Sequence, residues 1–151
     1  MTNSSKAGSK VGKKLPTIPT LTKKADVAFS RYIRNRDANQ EVEDANGNWI
    51  KGGPCITCKK VVAVNKAHCG HFIQRGCKLT RFMEENASLQ CPYCNTYRYG
   101  EQFRHGIEID RKFGQGTADR LLELENQYKR DGHKFTRDEL MEVIQKYKEI
   151  K

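Results

Sequence analysis

Apolar residues recur at helical spacing early in the chain. Ala25, Ala28, Phe29, Tyr32 and Ile33 share one face, which predicts a helix over 23–38, with Arg31, Arg34 and Arg36 on its other faces. The period then shortens. Asn46-Gly47 is a turn signal between two short strands around Val42 and Trp49-Ile50. Gly52-Gly53-Pro54 is expected to break the chain before Cys55. The β-branched run 61–64, a turn at Asn65-Lys66 and a return over 67–73 predict a hairpin. From Pro92 the pattern becomes helical through about Tyr99.

The last third reads as three helices. The first covers 101–113 and ends at Gly114; the second covers 117–129, with Leu121, Leu122, Leu124 and Tyr128, and ends near Gly132. The third has the clearest start. Thr136 and Glu139 form a capping box, Phe135 and Leu140 occupy hydrophobic-staple positions, and Leu140, Val143, Ile144 and Tyr147 make its apolar face. These stripes read as core. Residues 1–22 are rich in Ser, Thr, Gly, Lys and Pro, and bury too little surface to offset ordering entropy. They read as a disordered basic tail, either a solubilising leader or a non-specific phosphate-binding arm. Residues 23–151 then form a single domain, with a helical extension from about 101.

Charge changes the picture next. The 151 residues carry a formal +10, unevenly placed. Residues 1–24 hold six lysines and no acid, residues 59–104 hold eight basic and three acidic side chains, and residues 105–151 hold ten of each. That placement suggests a polyanion partner. No stretch approaches the roughly 20 apolar residues that span a bilayer, so an integral membrane protein is excluded. No apolar segment follows the N-terminal lysines, so export is not expected. Six cysteines in a reducing compartment point to metal ligation rather than to disulfides.

Cys55-x-x-Cys58 and Cys91-x-x-Cys94 are 32 residues apart. Two such turns complete a tetrahedral Zn²⁺ site, which has no open position and therefore staples the fold. A rival set is Cys55, Cys58, His68 and His71; its His-x-x-His gap is short for a zinc finger and it strands Cys91 and Cys94. Cys69 and Cys77 are left over and read as buried free thiols.

Any chemistry must come from between the knuckles. The segment Ala67-His68-Cys69-Gly70-His71-Phe72-Ile73-Gln74-Arg75 is followed by Asn86, fifteen residues after His71, and by Asn95, nine residues after that. A cysteine pair, His, Asn and then Cys-x-x-Cys-Asn resembles the zinc-bearing HNH (ββα-metal) endonucleases. Phe29-Ser30-Arg31-Tyr32-Ile33-Arg34, Cys55-Ile56-Thr57-Cys58, Cys69-Gly70-His71-Phe72-Ile73 and Gln90 to Asn95 further resemble the lambda NinG/Rap family of phage recombination endonucleases, over about residues 22–150.

The resemblance implies an α+β fold: a small zinc-stapled ββα-metal (HNH-like) core with an N-terminal helix and C-terminal helices. It implies a metal-dependent DNA endonuclease acting on branched intermediates such as Holliday junctions and D-loops, leaving 3′-hydroxyl and 5′-phosphate ends. His71 takes the role of general base, Asn86 holds the His71 loop through a backbone hydrogen bond, and Asn95 reaches a catalytic Mg²⁺ or Mn²⁺. Many HNH enzymes carry an Asp or His ligand directly before the base; here that position is Gly70. His68 is then the nearest further ligand, or else a phosphate contact or structural residue. Arg75, Lys78, Arg81 and Arg98 are expected DNA contacts, with solvated surface as the plain alternative. Tyr93, Tyr97 and Tyr99 read as packing residues, with contact to sugar or bases as the alternative, and His105 and His133 as surface. Implied partners are branched DNA, phage recombination proteins and a second copy of the chain, in the cytoplasm of a bacterial host. The competing class is a non-catalytic zinc-containing DNA-binding accessory protein of a recombination system.

Overall fold

The computed structural model describes residues 12–148. It is a mixed α+β fold, with two small antiparallel sheets and four α-helices among the described residues. Helix α1 (Ile18–Asp37) starts at Ile18 rather than Lys23. The Thr17 side chain caps it by accepting the Thr20 N–H at 3.3 Å. Pro19 sits in the first turn, where its missing N–H costs nothing. Leu21 is buried against Leu140. Residues 18–22, assigned by composition to the disordered tail, are therefore helical: a cap and one anchoring leucine outweigh a polar average. The tail's residues 1–11 lie outside the described part.

β1 (Gln40–Glu43) and β2 (Trp49–Pro54) form the expected hairpin. The Asp44 carboxylate accepts the N–H groups of Asn46 and Asn48 at 2.8 and 2.9 Å and organises the turn. The chain does not break at Gly52-Gly53-Pro54. These residues complete β2 and pair with β3 (Val61–Ala63). A Cβ on Gly53 would lie 2.2 Å from the Asp37 carbonyl oxygen, so the glycine permits close passage over the end of α1.

The predicted hairpin over 61–73 does not form. A turn exists, with the Lys66 and Ala67 N–H groups both 2.9 Å from the Ala63 carbonyl. Its two arms part, however, and join different sheets. β3 pairs with β2, closed by the first cysteine knuckle, whose Cys55 N–H donates to Lys60 at 2.8 Å. β4 (His68–His71) pairs instead with β5 (Ala87–Gln90), with His68 opposite Gln90 and His71 opposite Ala87. A local turn signal does not choose a strand's partner; non-local packing does. The chain then winds into a short π-helical turn, Tyr93–Tyr97, with the Arg98 N–H bonded to the Tyr93 carbonyl at 3.1 Å.

α2 (Gln102–Phe113) and α3 (Thr117–Asp131) end at Gly114 and Gly132. α4 (Arg137–Lys148) begins with the capping box intact. Thr136 N–H donates to Glu139 Oε2 at 2.7 Å, and Glu139 N–H to Thr136 Oγ1 at 3.2 Å. α1 packs most extensively on α4 and also covers β4 and β5. One buried cluster joins Ala28, Phe29 and Ile33 to Ala87 and Tyr147. Another joins Ile56, Phe72 and Ile73 to Ile109 and Leu121. The segment 68–90 is thus held between two cores.

A charged clamp adds to this. The Arg36 guanidinium donates to the carbonyls of Glu84 and Ala87, both at 2.8 Å. The Asp37 carboxylate accepts the Leu89 N–H at 2.9 Å and Lys112 Nζ at 2.6 Å. Burial pushes the Asp37 carboxyl upward, but Arg36 and Lys112 outweigh it and hold it below its ordinary range. His105, expected at the surface, is fully buried on α2 against Phe72, with neither ring nitrogen hydrogen-bonded. Among the described residues no helix is long and apolar enough to cross a membrane.

Candidate metal centre and histidine cleft

The two cysteine pairs sit on different supports. Cys55 and Cys58 belong to the β2–β3 knuckle, while Cys91 and Cys94 lie where β5 passes into the π-helical turn. The Ile56 N–H bonds to the Leu89 carbonyl at 3.0 Å and locks the knuckle to β5. All four sulfurs lie within 4.8 Å of one another, and those of Cys58 and Cys91 are 3.8 Å apart. A zinc with Zn–S bonds of about 2.3 Å spaces tetrahedral sulfurs by about 3.8 Å. Burial raises the Cys55 thiol, but backbone N–H groups of Cys58, Cys91 and Thr57 outweigh it and bring the pKa to about 7. The cluster can therefore hold a structural metal such as zinc. His68 and His71, the rival ligands, line a separate cleft.

That cleft encloses about 730 Å³ between α1, β4 and the stretch after the second knuckle. His71 ends β4 at its wall. Its Nε2 lies 3.0 Å from the Arg81 carbonyl oxygen. A carbonyl only accepts, so Nε2 carries the proton and the Nδ1 lone pair is left free. Burial is the main cause that lowers the His71 pKa to about 4; the nearby Arg75 adds to it and the Arg81 carbonyl opposes it. The ring is neutral at pH 7.

Asn86 lies behind the cleft and is fully buried. Its Oδ1 accepts the Ile73 N–H at 2.8 Å, and its Nδ2 donates to the carbonyls of Ile73 and Thr80 at 2.9 and 3.1 Å. The Phe72 N–H bonds to the Asn86 carbonyl at 2.8 Å. One carboxamide thus closes the 73–80 loop that follows His71.

Asn95 and His68 meet inside the cleft, with Nδ2 of the amide donating to Nδ1 of the ring at 3.0 Å. That bond uses the Nδ1 lone pair of His68, so a cation taken by His68 displaces it. No hydrogen bond engages Asn95 Oδ1 among the described residues. The Asn95 amide would have to turn for its oxygen and the His68 ring to share a cation, and such an amide–imidazole pair would suit Mn²⁺ better than Mg²⁺. The one acid in the cleft, Asp26, is engaged by Arg81 at 2.6 Å. At Gly70 a Cβ would lie 2.1 Å from the Gln90 amide oxygen, so the position before His71 has no room for a ligand side chain.

The structure separates the expected DNA contacts. Arg75 lines the cleft and is exposed. Arg81 is turned inward, its guanidinium bound to Asp26 and to the Arg75 carbonyl. Lys78 lines a different groove, beside Tyr147. Arg98 lies outside the cleft and pairs with Glu101. Asp26, Ser30 and Arg34, none of them expected at a site, also line the wall. Their spacing of four along α1 places them on one helix face, the signal that could have found them. Cys69, expected to be buried, is half-buried in the wall, and burial pushes its thiol up to about 12. Cys77 is buried in the core.

No curated protein and no solved structure matches the chain. The family described as Bacteriophage Lambda NinG protein matches residues 6–151. That match takes in both cysteine knuckles, the histidine cleft and all four helices, and the chain belongs to the NinG family.

Proposed function

We propose that the chain is a divalent-cation-dependent DNA endonuclease, acting on branched recombination intermediates such as Holliday junctions and D-loops in the host cytoplasm. One observation carries this reading. His71 is fixed by Nε2–H to a backbone carbonyl, which leaves a neutral ring with Nδ1 free in a basic cleft. Strand, strand and helical turn follow one another through β4, β5 and Tyr93–Tyr97, the order the ββα-metal resemblance implies.

His71 Nδ1 takes a proton from the attacking water. Arg75 draws a scissile phosphate toward it, and the buried Asn86 keeps the ring's loop from drifting. Asn95 and His68 would hold a divalent cation, which supplies charge neutralisation at the phosphate. Cys55, Cys58, Cys91 and Cys94 would hold a zinc that keeps Asn95 in register with β4. The reading is tested on labelled junction, D-loop, duplex and single-stranded DNA with Mn²⁺ or Mg²⁺. Cation-dependent cleavage, strongest on branched DNA, supports it. Tight binding without cleavage of any substrate leaves the accessory-protein alternative.

A further inference from the structure

The tyrosines in and after the second knuckle do not pack into the core. Tyr93, Tyr97 and Tyr99 are 59%, 75% and 89% exposed, and Phe103 on the first turn of α2 is 86% exposed. Four large aromatic rings within eleven residues, left in water, are costly unless something covers them. Three of them adjoin, and the fourth stands at the cleft. The Tyr93 and Tyr97 rings are 6.1 Å apart, Tyr97 and Phe103 line one shallow surface depression, and Tyr99 forms part of the cleft wall.

Their presentation is enforced by the backbone. Tyr99, Gly100 and Glu101 have φ of +53°, +81° and +47°, so two non-glycine residues hold left-handed conformations on either side of a glycine. The Gly100 N–H bonds to the Cys94 carbonyl at 2.8 Å, and the Gln90 amide donates to the Gly100 carbonyl at 2.8 Å. The knuckle and β5 thus hold a strained turn whose effect is to aim Tyr99 outward. Arginines frame the rings. Arg98 and Arg104 share the single carboxylate of Glu101, leaving net positive charge, and Arg75 shares the cleft with Tyr99.

We infer that this ridge is a stacking platform for the unstacked bases of a DNA strand whose backbone enters the His71 cleft. This deepens the proposed function, naming what selects branched over fully paired DNA, and rests on that reading for the cleft's role. Aromatic faces accept any exposed base, and interleaved arginines hold the phosphates between. A duplex offers only stacked bases and gains little from the ridge.

The test uses full-length, zinc-loaded protein in Mg²⁺- and Mn²⁺-free buffer. Probes are a thymidine oligonucleotide with one 2-aminopurine, a four-way junction and a blunt duplex. Wild type is expected to quench the 2-aminopurine. Tyr97→Ala, Tyr99→Ala and Phe103→Ala should each weaken single-strand and junction binding by roughly five- to a hundredfold, with duplex affinity changed less than about twofold. Tyr97→Phe and Tyr99→Phe keep the ring and should keep binding, whereas Tyr97→Leu should not. Equal losses on duplex and single strand overturn the inference. So does unchanged DNA binding by every alanine variant, the result expected if the ridge covers a protein partner instead. His71→Ala should still quench, so a failed nuclease assignment and a failed platform are told apart.

Discussion

His71 Nε2 sits 3.0 Å from the carbonyl oxygen of Arg81, and this contact decides which ring nitrogen is available for chemistry. Arg81 holds its place because Asp26 of α1 grips its guanidinium at 2.6 Å. The orientation of one imidazole therefore depends on a helix more than forty residues earlier. The Arg81 guanidinium, expected to touch DNA, is here bound to Asp26 and to the Arg75 carbonyl.

Metal removal should unfold the protein. Elemental analysis is expected to find about one zinc per chain. Cys55→Ser or Cys91→Ser should lose that zinc, and a strong chelator should abolish the cooperative thermal transition, since structural zinc supplies folding free energy of about 10 kcal/mol or more. A zinc-free chain with an unchanged Tm contradicts the four-cysteine assignment.

Asn86→Ala removes three buried hydrogen bonds at the 73–80 loop. The backbone groups left unpaired should cost roughly 2–4 kcal/mol, a fall in Tm of roughly 5–15 °C. Asn86→Asp should fare no better, because it turns an acceptor toward the carbonyls of Ile73 and Thr80. Thermal unfolding of both variants checks this; a loss below about 0.5 kcal/mol argues against the clamp.

Acid should destabilise the fold well above the carboxylate range. Burial is the main cause that lowers both His71 and His105 from 6.5 to about 4, with His71 and Lys112 adding to the effect at His105. Between these values the unfolded chain binds more protons than the native one. Stability is therefore full above about pH 6.5, falls as pH drops toward 4, and levels off below that. His105→Leu removes one of the two groups and should roughly halve that slope between pH 6 and 5. Denaturant midpoints across pH 4–8, for wild type and variant, measure it. Parallel curves would contradict the burial of a neutral His105.

The parts legible in the sequence were those fixed by short-range rules. Thr136 and Glu139 cap α4 because the motif needs only its own turn. The cysteine knuckles converge because each is a local turn and β5 joins them. Choice of partner was not legible. Val61–Ala63 and His68–His71 each look like half of one hairpin, yet the first is paired by β2 and the second by β5. Nor was the fate of single polar or aromatic residues. His105 is buried because Gly106 lets α2 approach Phe72, with a Cβ there only 3.0 Å from the ring. Tyr99 is exposed because a strained turn points it away from the core that its composition suggested.

On the proposed function, His71 is the base of a phosphodiester hydrolysis. Its most direct measurement is single-turnover cleavage of a labelled four-way junction in Mn²⁺, by wild type and His71→Ala with matched zinc content and junction affinity. The variant is expected to be slower by roughly 10²–10⁴-fold, with added imidazole restoring part of the rate. Cleavage at the wild-type rate by His71→Ala would contradict it.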